Sequence, residues 1–345
     1  MNGKRTGKIL VIISVIFITW LFMKSNFFNS IIDSKITSKN YGVPFKRCIS
    51  IGNELEASKN ISRDIGIKNE YFDIVKDVGF DCVRLPISFA DYVSEDYYKL
   101  DEDYMTKIDS YINYALNDDL TIIIDFHNFV EIMNNPEANK ECFLVIWNQL
   151  SERYKDYPRK LIFELLNEPQ NNLEGEVWNE YLAEGIDVIR KNDKSRKIIV
   201  GPDHCNSVDR LYNLKVPRDK NLIVTFHYYE PYDFTFQGNE CYEGYRRKLG
   251  VKWNGTEEEL LVIKNKFEIA KKWSKANKIG IFLGEFGADK KAEGTDRKRW
   301  IGAVRKRADK DYFAWGYREL CSDFGIYDNE AKQWDNDVLS QLIPN

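Results

Sequence analysis

At 345 residues, 43% of them hydrophobic, the chain is long enough for one large α/β domain or two ordinary ones. Its formal net charge of −4 divides into +5 over residues 1–40 and −9 over the remainder, and so acidic a globular part argues against a nucleic-acid partner. The six cysteines (Cys48, Cys82, Cys142, Cys205, Cys241, Cys321) show no CxxC spacing, which excludes a zinc knuckle and a small disulfide scaffold; no obligatory disulfide is expected.

Residues 1–8 carry Lys4, Arg5 and Lys8, and residues 9–23, ILVIISVIFITWLFM, form an uncharged run closed by Lys24. A basic flank followed by an apolar run marks an export signal or a membrane anchor with its basic end left inside. No small-x-small cleavage site and no lipobox-like cysteine follows. Residues 1–24 therefore read as an uncleaved anchor in preference to a cleaved signal peptide. That places the rest of the chain at the cell surface, or in the medium if the segment is removed. Residues 25–43, rich in Ser, Asn and Lys, read as a linker.

From residue 44 to 345 strand-like and helix-like stretches alternate. Strands are expected at 47–52, 81–86, 120–127, 160–167, 196–201, 220–228, 279–285 and 312–319. Amphipathic helices are clearest at 68–78, 103–117, 140–154, 174–191, 256–277 and 295–309. Eight strand–crossover repeats over about three hundred residues predict a single-domain (β/α)8 TIM barrel. An open doubly wound sheet is the alternative, weakened because no glycine-rich nucleotide loop follows the first strand.

In such a barrel the chemistry sits at the carboxyl ends of the strands. The stretch LIFELLNEPQ is a short apolar run that Pro169 stops, leaving Asn167 and Glu168 at its end and Glu164 inside it, where a buried carboxylate must be paired. KIGIFLGEFG is a second such run, ending in Glu285. Two strands that each end in one Glu offer the carboxylate pair that glycoside hydrolysis uses. A solvated turn would account for the first motif taken alone, and a satisfied structural role for either histidine alone. The other strand ends are polar as well: Arg84-Leu85-Pro86, Asp125-Phe126-His127-Asn128, His227-Tyr228-Tyr229 and Arg318-Glu319. No HxH, HExxH or GxSxG spacing occurs, so neither a metal hydrolase nor a serine hydrolase is expected.

Taken in order, RLPI, DFHN, NEP, HYYEP and GEFG resemble glycoside hydrolase family 5, the cellulase superfamily of retaining β-glycanases. The likeness runs from about Gly52 to Leu342. It is closest to the bacterial branch with IGNxLEA after strand one, RYKDYPxxLIFELLNEP around strand four and CSxFGxYD after strand eight. That branch contains endo-β-1,4-glucanases, some of which also cut mannans. The resemblance implies Glu168 as acid/base, Glu285 as nucleophile, Asn167 on the sugar 2-hydroxyl and Arg84 as the cation beside the nucleophile. It also places His127, His227 and Tyr229 around the cleavage subsite. Asn128, Arg318 and Glu319 are further substrate-facing candidates at the strand ends. A polysaccharide substrate, no metal, no organic cofactor and a monomer are expected. The rival from another class is a membrane-tethered carbohydrate-binding protein with little or no turnover, and the presence of both Glu residues speaks against it.

Two positions depart from the family pattern. Strand one reads CISIGN, with Ser50 where an Asn is usual, and strand eight reads WGYREL, with Arg318 where a sugar-stacking Trp is usual. Trp315 lies three residues earlier and, by strand alternation, faces the other way. Arg318 is then either drift or the mark of a changed subsite, since a guanidinium can fork to the carboxylate or sulfate of an acidic or decorated β-glycan.

Overall fold

Runs such as TIIIDF and LIVTFHY are buried on both faces, the pattern of a parallel strand held between an inner core and an outer shell of helices. The computed structural model, which describes residues 40–52, 54–57 and 66–344, closes eight such strands into a barrel in chain order. They are β1 (Arg47–Ser50), β2 (Cys82–Ile87), β3 (Thr121–Phe126), β4 (Leu161–Glu164), β5 (Ile198–Val200), β6 (Leu222–Tyr228), β7 (Gly280–Phe286) and β8 (Ala314–Tyr317). All neighbours are parallel, and β1 returns to β8 with Cys48 opposite Gly316. The sheet is therefore closed, and the doubly wound alternative falls.

Each expected amphipathic segment is a helix: α1 (Glu70–Asp77), α2 (Glu102–Asn117), α3 (Pro136–Arg153), α4 (Gly175–Asn192), α5 (Glu257–Asn277) and α6 (Gly294–Asp311). Local chemistry sets their starts. Asp101 accepts from the Tyr104 amide ahead of α2, and Thr256 with Glu259 forms a capping box on α5. A last helix, α7 (Asn336–Leu342), and a two-residue hairpin, β9 (Tyr327–Asp328) with β10 (Gln333–Trp334), lay below sequence detection. Elements so short show no hydrophobic period.

Packing begins before residue 44. The Asn40 side chain accepts from the Ile281 amide (2.8 Å) and donates to the Ile281 carbonyl (2.9 Å), while Val43 and Phe45 are buried beneath the barrel. The end of the expected linker is thus part of the barrel floor. Among the described residues no helix is long and apolar enough to cross a membrane; the run 9–23 lies outside them.

Inside the barrel, residues stack in layers. The lowest is apolar, with one residue from each strand, from Cys48 on β1 to Ala314 on β8. Two residues further along, the layer turns polar, with Ser50, Arg84, Asp125, Glu164 and Thr225 all buried. Glycines make room there. A Cβ on Gly284 would collide with Thr225 Oγ1, and one on Gly201 with Asn206 Oδ1. The change of layer carries the chain from stability to chemistry.

Candidate active site

Arg84 organises the polar layer. Fully buried, its guanidinium donates to Glu164 (2.7 Å), Glu285 (2.7 Å) and Asn167 Oδ1 (2.8 Å), and it stands 2.9 Å from Asp125. One cation facing three buried carboxylates cannot offset the desolvation of all of them. Burial pushes Asp125 up to about 7 and raises Glu164, in both cases against the pull of Arg84. Asp125 also meets His127 Nδ1 at 2.6 Å. Burial, with Arg84 and Arg318 nearby, pushes His127 down to about 4, so its ring is neutral at pH 7.

Glu285 takes the opposite course. Burial alone would raise it, but Arg318, His227 and Arg84 outweigh that and hold it well below the usual carboxylate range. A break in register places it there. Phe226 lies opposite Leu283, yet the next residue, His227, lies opposite Glu285, so β7 carries one extra residue at Gly284. This bulge lets both Phe282 and Glu285, three residues apart, face the barrel interior, where strict alternation would send Glu285 out among the helices. Tyr229 OH donates to Glu285 Oε2 at 2.8 Å, and burial pushes that phenol well above its usual range, so it stays a donor. Arg318 Nη1 lies 3.0 Å from each oxygen of the same carboxylate.

Glu168 follows β4 with a left-handed backbone (φ 48°), and its side chain is one-quarter exposed (26%), open to the cleft that Glu285 faces from below. Its Oε1 lies 2.7 Å from His227 Nδ1, while Asn206 Nδ2 lies 3.2 Å from Nε2 of the same ring. With Asn206 donating, the neutral ring carries its proton on Nδ1 and points it at Glu168. Burial disfavours the charged imidazole, but Glu285 and Glu168 outweigh it and raise His227. Ligand atoms of Glu168, His227 and Glu285 all lie within 4.8 Å of one another. That spacing suits a retaining carboxylate pair, whose groups stand about 5–5.5 Å apart.

Of the sequence candidates, Arg84, His127, Asn167, Glu168, His227, Tyr229, Glu285 and Arg318 share this one network. Asn128 and Glu319 stand beside it. The Asn128 amide donates to the Glu56 carbonyl at 2.7 Å, and the buried Glu319 carboxylate turns toward the α-carbon of Gly52. Four partners were missed as site residues. Asp125 and Glu164 could have been found as acids inside apolar strands. Asn206 gave no signal, because it reaches His227 from a turn after β5 in which three successive residues have positive φ. Half-exposed Tyr242, on the segment after β6, packs edge-on to Phe236 at 4.7 Å, and Phe236 in turn touches Tyr229. Burial pushes the Tyr242 phenol up to about 12, with Glu168 and Glu285 adding to the rise and Arg318 opposing it. The Glu168–His227–Glu285 group is a poor cation site, because two guanidinium groups already face Glu285. A second group, Glu174, Asp203 and His204, is no better, since Arg210 and the Gly175 amide hold Asp203.

Comparison with known proteins agrees with this geometry. The cellulase (glycosyl hydrolase family 5) profile matches residues 42–319. Endoglucanase H of Acetivibrio thermocellus is 31% identical over 301 residues, 85% of this chain but only 32% of that protein, so the chain spans about a third of it. Endoglucanase A of Ruminococcus albus is 27% identical over 79% of this chain and 81% of its own length. Among solved structures, the clostridial cellulose synthase subunit Z (CcsZ) of Clostridioides difficile is 48% identical with a TM-score of 0.86, covering 87% of this chain and 99% of that one. Endoglucanase Cel5A of Thermotoga maritima is 42% identical with a TM-score of 0.85, covering 89% and 99%. With the barrel closed, the carboxylate pair at its carboxyl rim and a family match over most of its length, the chain belongs to glycosyl hydrolase family 5 and is an endoglucanase-like enzyme.

Proposed function

We propose that the chain is an endo-acting β-glycanase that cleaves internal bonds of a neutral β-1,4-glucan with retention of configuration. The observation that carries this reading is the asymmetry of the carboxylate pair: Glu285 is buried and held as an anion by two arginines and a tyrosine, and Glu168 stands open to the cleft within 4.8 Å. In the first step a Glu285 oxygen attacks the anomeric carbon. The glycosidic bond breaks as Glu168 protonates the leaving oxygen, giving a glycosyl-enzyme. In the second step Glu168 takes a proton from water, and the hydroxide replaces Glu285 at the same carbon. Asn167, fixed by Arg84 through Oδ1, turns its side-chain nitrogen toward His127 Nε2 at 3.5 Å, a contact long enough for the sugar 2-hydroxyl to replace. Neutral His127 can accept or donate there without adding charge.

Solved T. maritima Cel5A structures carry cellobiose or mannotriose, which makes mannan the second polymer to try. An acidic glycan is less favoured, because its carboxylate would compete with Glu285 for Arg318. A binding protein without turnover would gain nothing from an ionised Glu285 held at such desolvation cost. The sequence of residues 1–24 further supports an anchored enzyme with its barrel outside the cytoplasm. A 2-fluoro β-glucoside is the direct test. It should label Glu285 in the wild type and nothing in Glu285→Gln, which should also lose several orders of magnitude in turnover. Label on another carboxylate would overturn the assignment.

A further inference from the structure

The face of the barrel opposite the cleft is electrically lopsided. The segments that lead into β4, β5, β6 and β7 at that face are 152–160, 190–197, 214–221 and 275–279. They hold fourteen Lys or Arg against four Asp or Glu, in a chain whose residues 41–345 sum to −9. The segments leading into β2, β3 and β8 (76–81, 116–120 and 309–313) show no such excess, with two Lys or Arg against six Asp. Several of the basic residues serve the fold. Arg196, fully buried, donates to the carbonyls of Tyr154 (2.7 Å), Pro158 (2.7 Å) and Leu161 (2.9 Å), and Arg190 pairs with Asp219. Six do not. Lys191, Lys194, Arg218, Lys220, Lys275 and Lys278 are exposed, and none has an ion pair among the described residues. Helix dipoles would account for Lys191 in the last turn of α4 and for Lys275 and the cap residue Lys278 of α5, but not for Lys194, Arg218 and Lys220, which lie past the caps.

The chain also enters the barrel at this sector. Asn40 is bonded to Ile281 at the start of β7, and a Cβ on Gly42 would lie 4.0 Å from Lys197 Nζ, one residue before β5. Upstream, the apolar run ends at Lys24, and the sixteen residues from there to Asn40 reach at most roughly 55 Å. A barrel tethered at that point has its basic sector, and not its acidic rim, on the side nearest the tether.

We infer that the rim under β4–β7 docks electrostatically on anionic phospholipid headgroups, tilting the barrel so that the catalytic cleft faces away from the bilayer. This rests on the reading of residues 1–24 as an anchor. Exposed lysines are attracted to an anionic leaflet within about one Debye length, roughly 10 Å at 0.1 M salt, while the acidic remainder of the chain is repelled. The consequence for function is an open cleft presented to polymer in the surrounding medium.

The test uses the full chain reconstituted in vesicles of phosphatidylcholine alone, or of phosphatidylcholine mixed with phosphatidylglycerol. Flotation is measured first, then lysine acetylation by mass spectrometry. Lys191, Lys194, Lys220, Lys275 and Lys278 should acetylate about fivefold more slowly in the anionic vesicles, with the protection lost at high salt. Lys99 and Lys290, on the cleft side, should not change. Reversing Lys191, Lys194, Lys220 and Lys278 to Glu should abolish the protection of the remaining Lys275 and leave turnover of a soluble glucan unaltered. Equal labelling in both vesicles overturns the docking surface. So does protection that survives charge reversal, or protection conferred by an acidic protein or RNA but not by vesicles. Failure of the chain to float with neutral vesicles would overturn only the anchor, and flotation with the anionic ones would then still read the docking.

Discussion

Arg318 places Nη1 at 3.0 Å from both carboxylate oxygens of Glu285, so the residue standing where a stacking ring is usual is a second cation on the proposed nucleophile. Such a contact stabilises the carboxylate as an anion and thereby weakens its attack. The same guanidinium leaves no flat apolar face for the sugar at the cleaved bond.

The first consequence is a shift in pH dependence. The charged and titratable groups around Glu285 include Arg84 from β2, Asp125 from β3 and His127 after it, Glu168 after β4, His227 and Tyr229 from the end of β6, and Arg318. Glu285 must be ionised to attack, so the acidic limb of kcat/KM reports its protonation. Replacing Arg318 by Met removes a cation that lowers Glu285 and should move that limb to higher pH by on the order of one unit. Arg318→Lys should leave it near the wild-type position. An acidic limb that does not move in the Met variant would show that Arg318 leaves Glu285 ionisation untouched.

Arg318→Trp should raise turnover of neutral β-1,4-glucan. Ring stacking contributes about 1–3 kcal/mol, and about 1.4 kcal/mol is a factor of ten in rate. Because Arg318 already belongs to Glu285, the gain should extend to an acidic β-glycan as well. A gain on the neutral polymer with a loss on the acidic one would instead make Arg318 the reader of an acidic sugar.

Glu168→Ala should depress hydrolysis of polysaccharide far more than that of an aryl glycoside, whose leaving group needs little protonation. The ratio of the two rates is the measurement. Equal losses on both substrates would remove Glu168 from the acid role.

Asp125 makes a prediction about stability. Its folded value, pushed up by burial to about 7, lies above the ordinary aspartate range near 3.8, so the unfolded chain gives up this proton first as pH rises. Native stability is therefore lost as pH climbs from about 4 to about 7 on this account. Asp125→Asn should flatten that loss in denaturant titrations run at about pH 4.5 and about pH 7.5, near the two ends of that window. If the wild type and the variant change in parallel, the Asp125 carboxylate does not titrate in that range.

Much of this protein was legible in the sequence because the relevant physics is local. Short apolar runs spaced by amphipathic stretches can bury both strand faces only in a helix-wrapped parallel sheet, and Pro169 and the glycines around Glu285 mark where two strands end. Glu164 inside an apolar strand required a buried partner, which Arg84 supplies. What pattern and spacing could not give was set by residues that meet only after the sheet closes. The extra residue in β7 turns Glu285 inward against simple alternation, and Asn206 reaches His227 from a turn with no periodic signal. Arg318 read in sequence as a lost ring or an acidic-sugar partner; closure of β8 on β7 points it at Glu285 instead. The basic rim is likewise scattered over four segments from residue 152 to 279, and only the circular order of the strands gathers it on one side. Charge and hydrogen bonding act through space, so they follow the barrel's geometry and not the order of the chain.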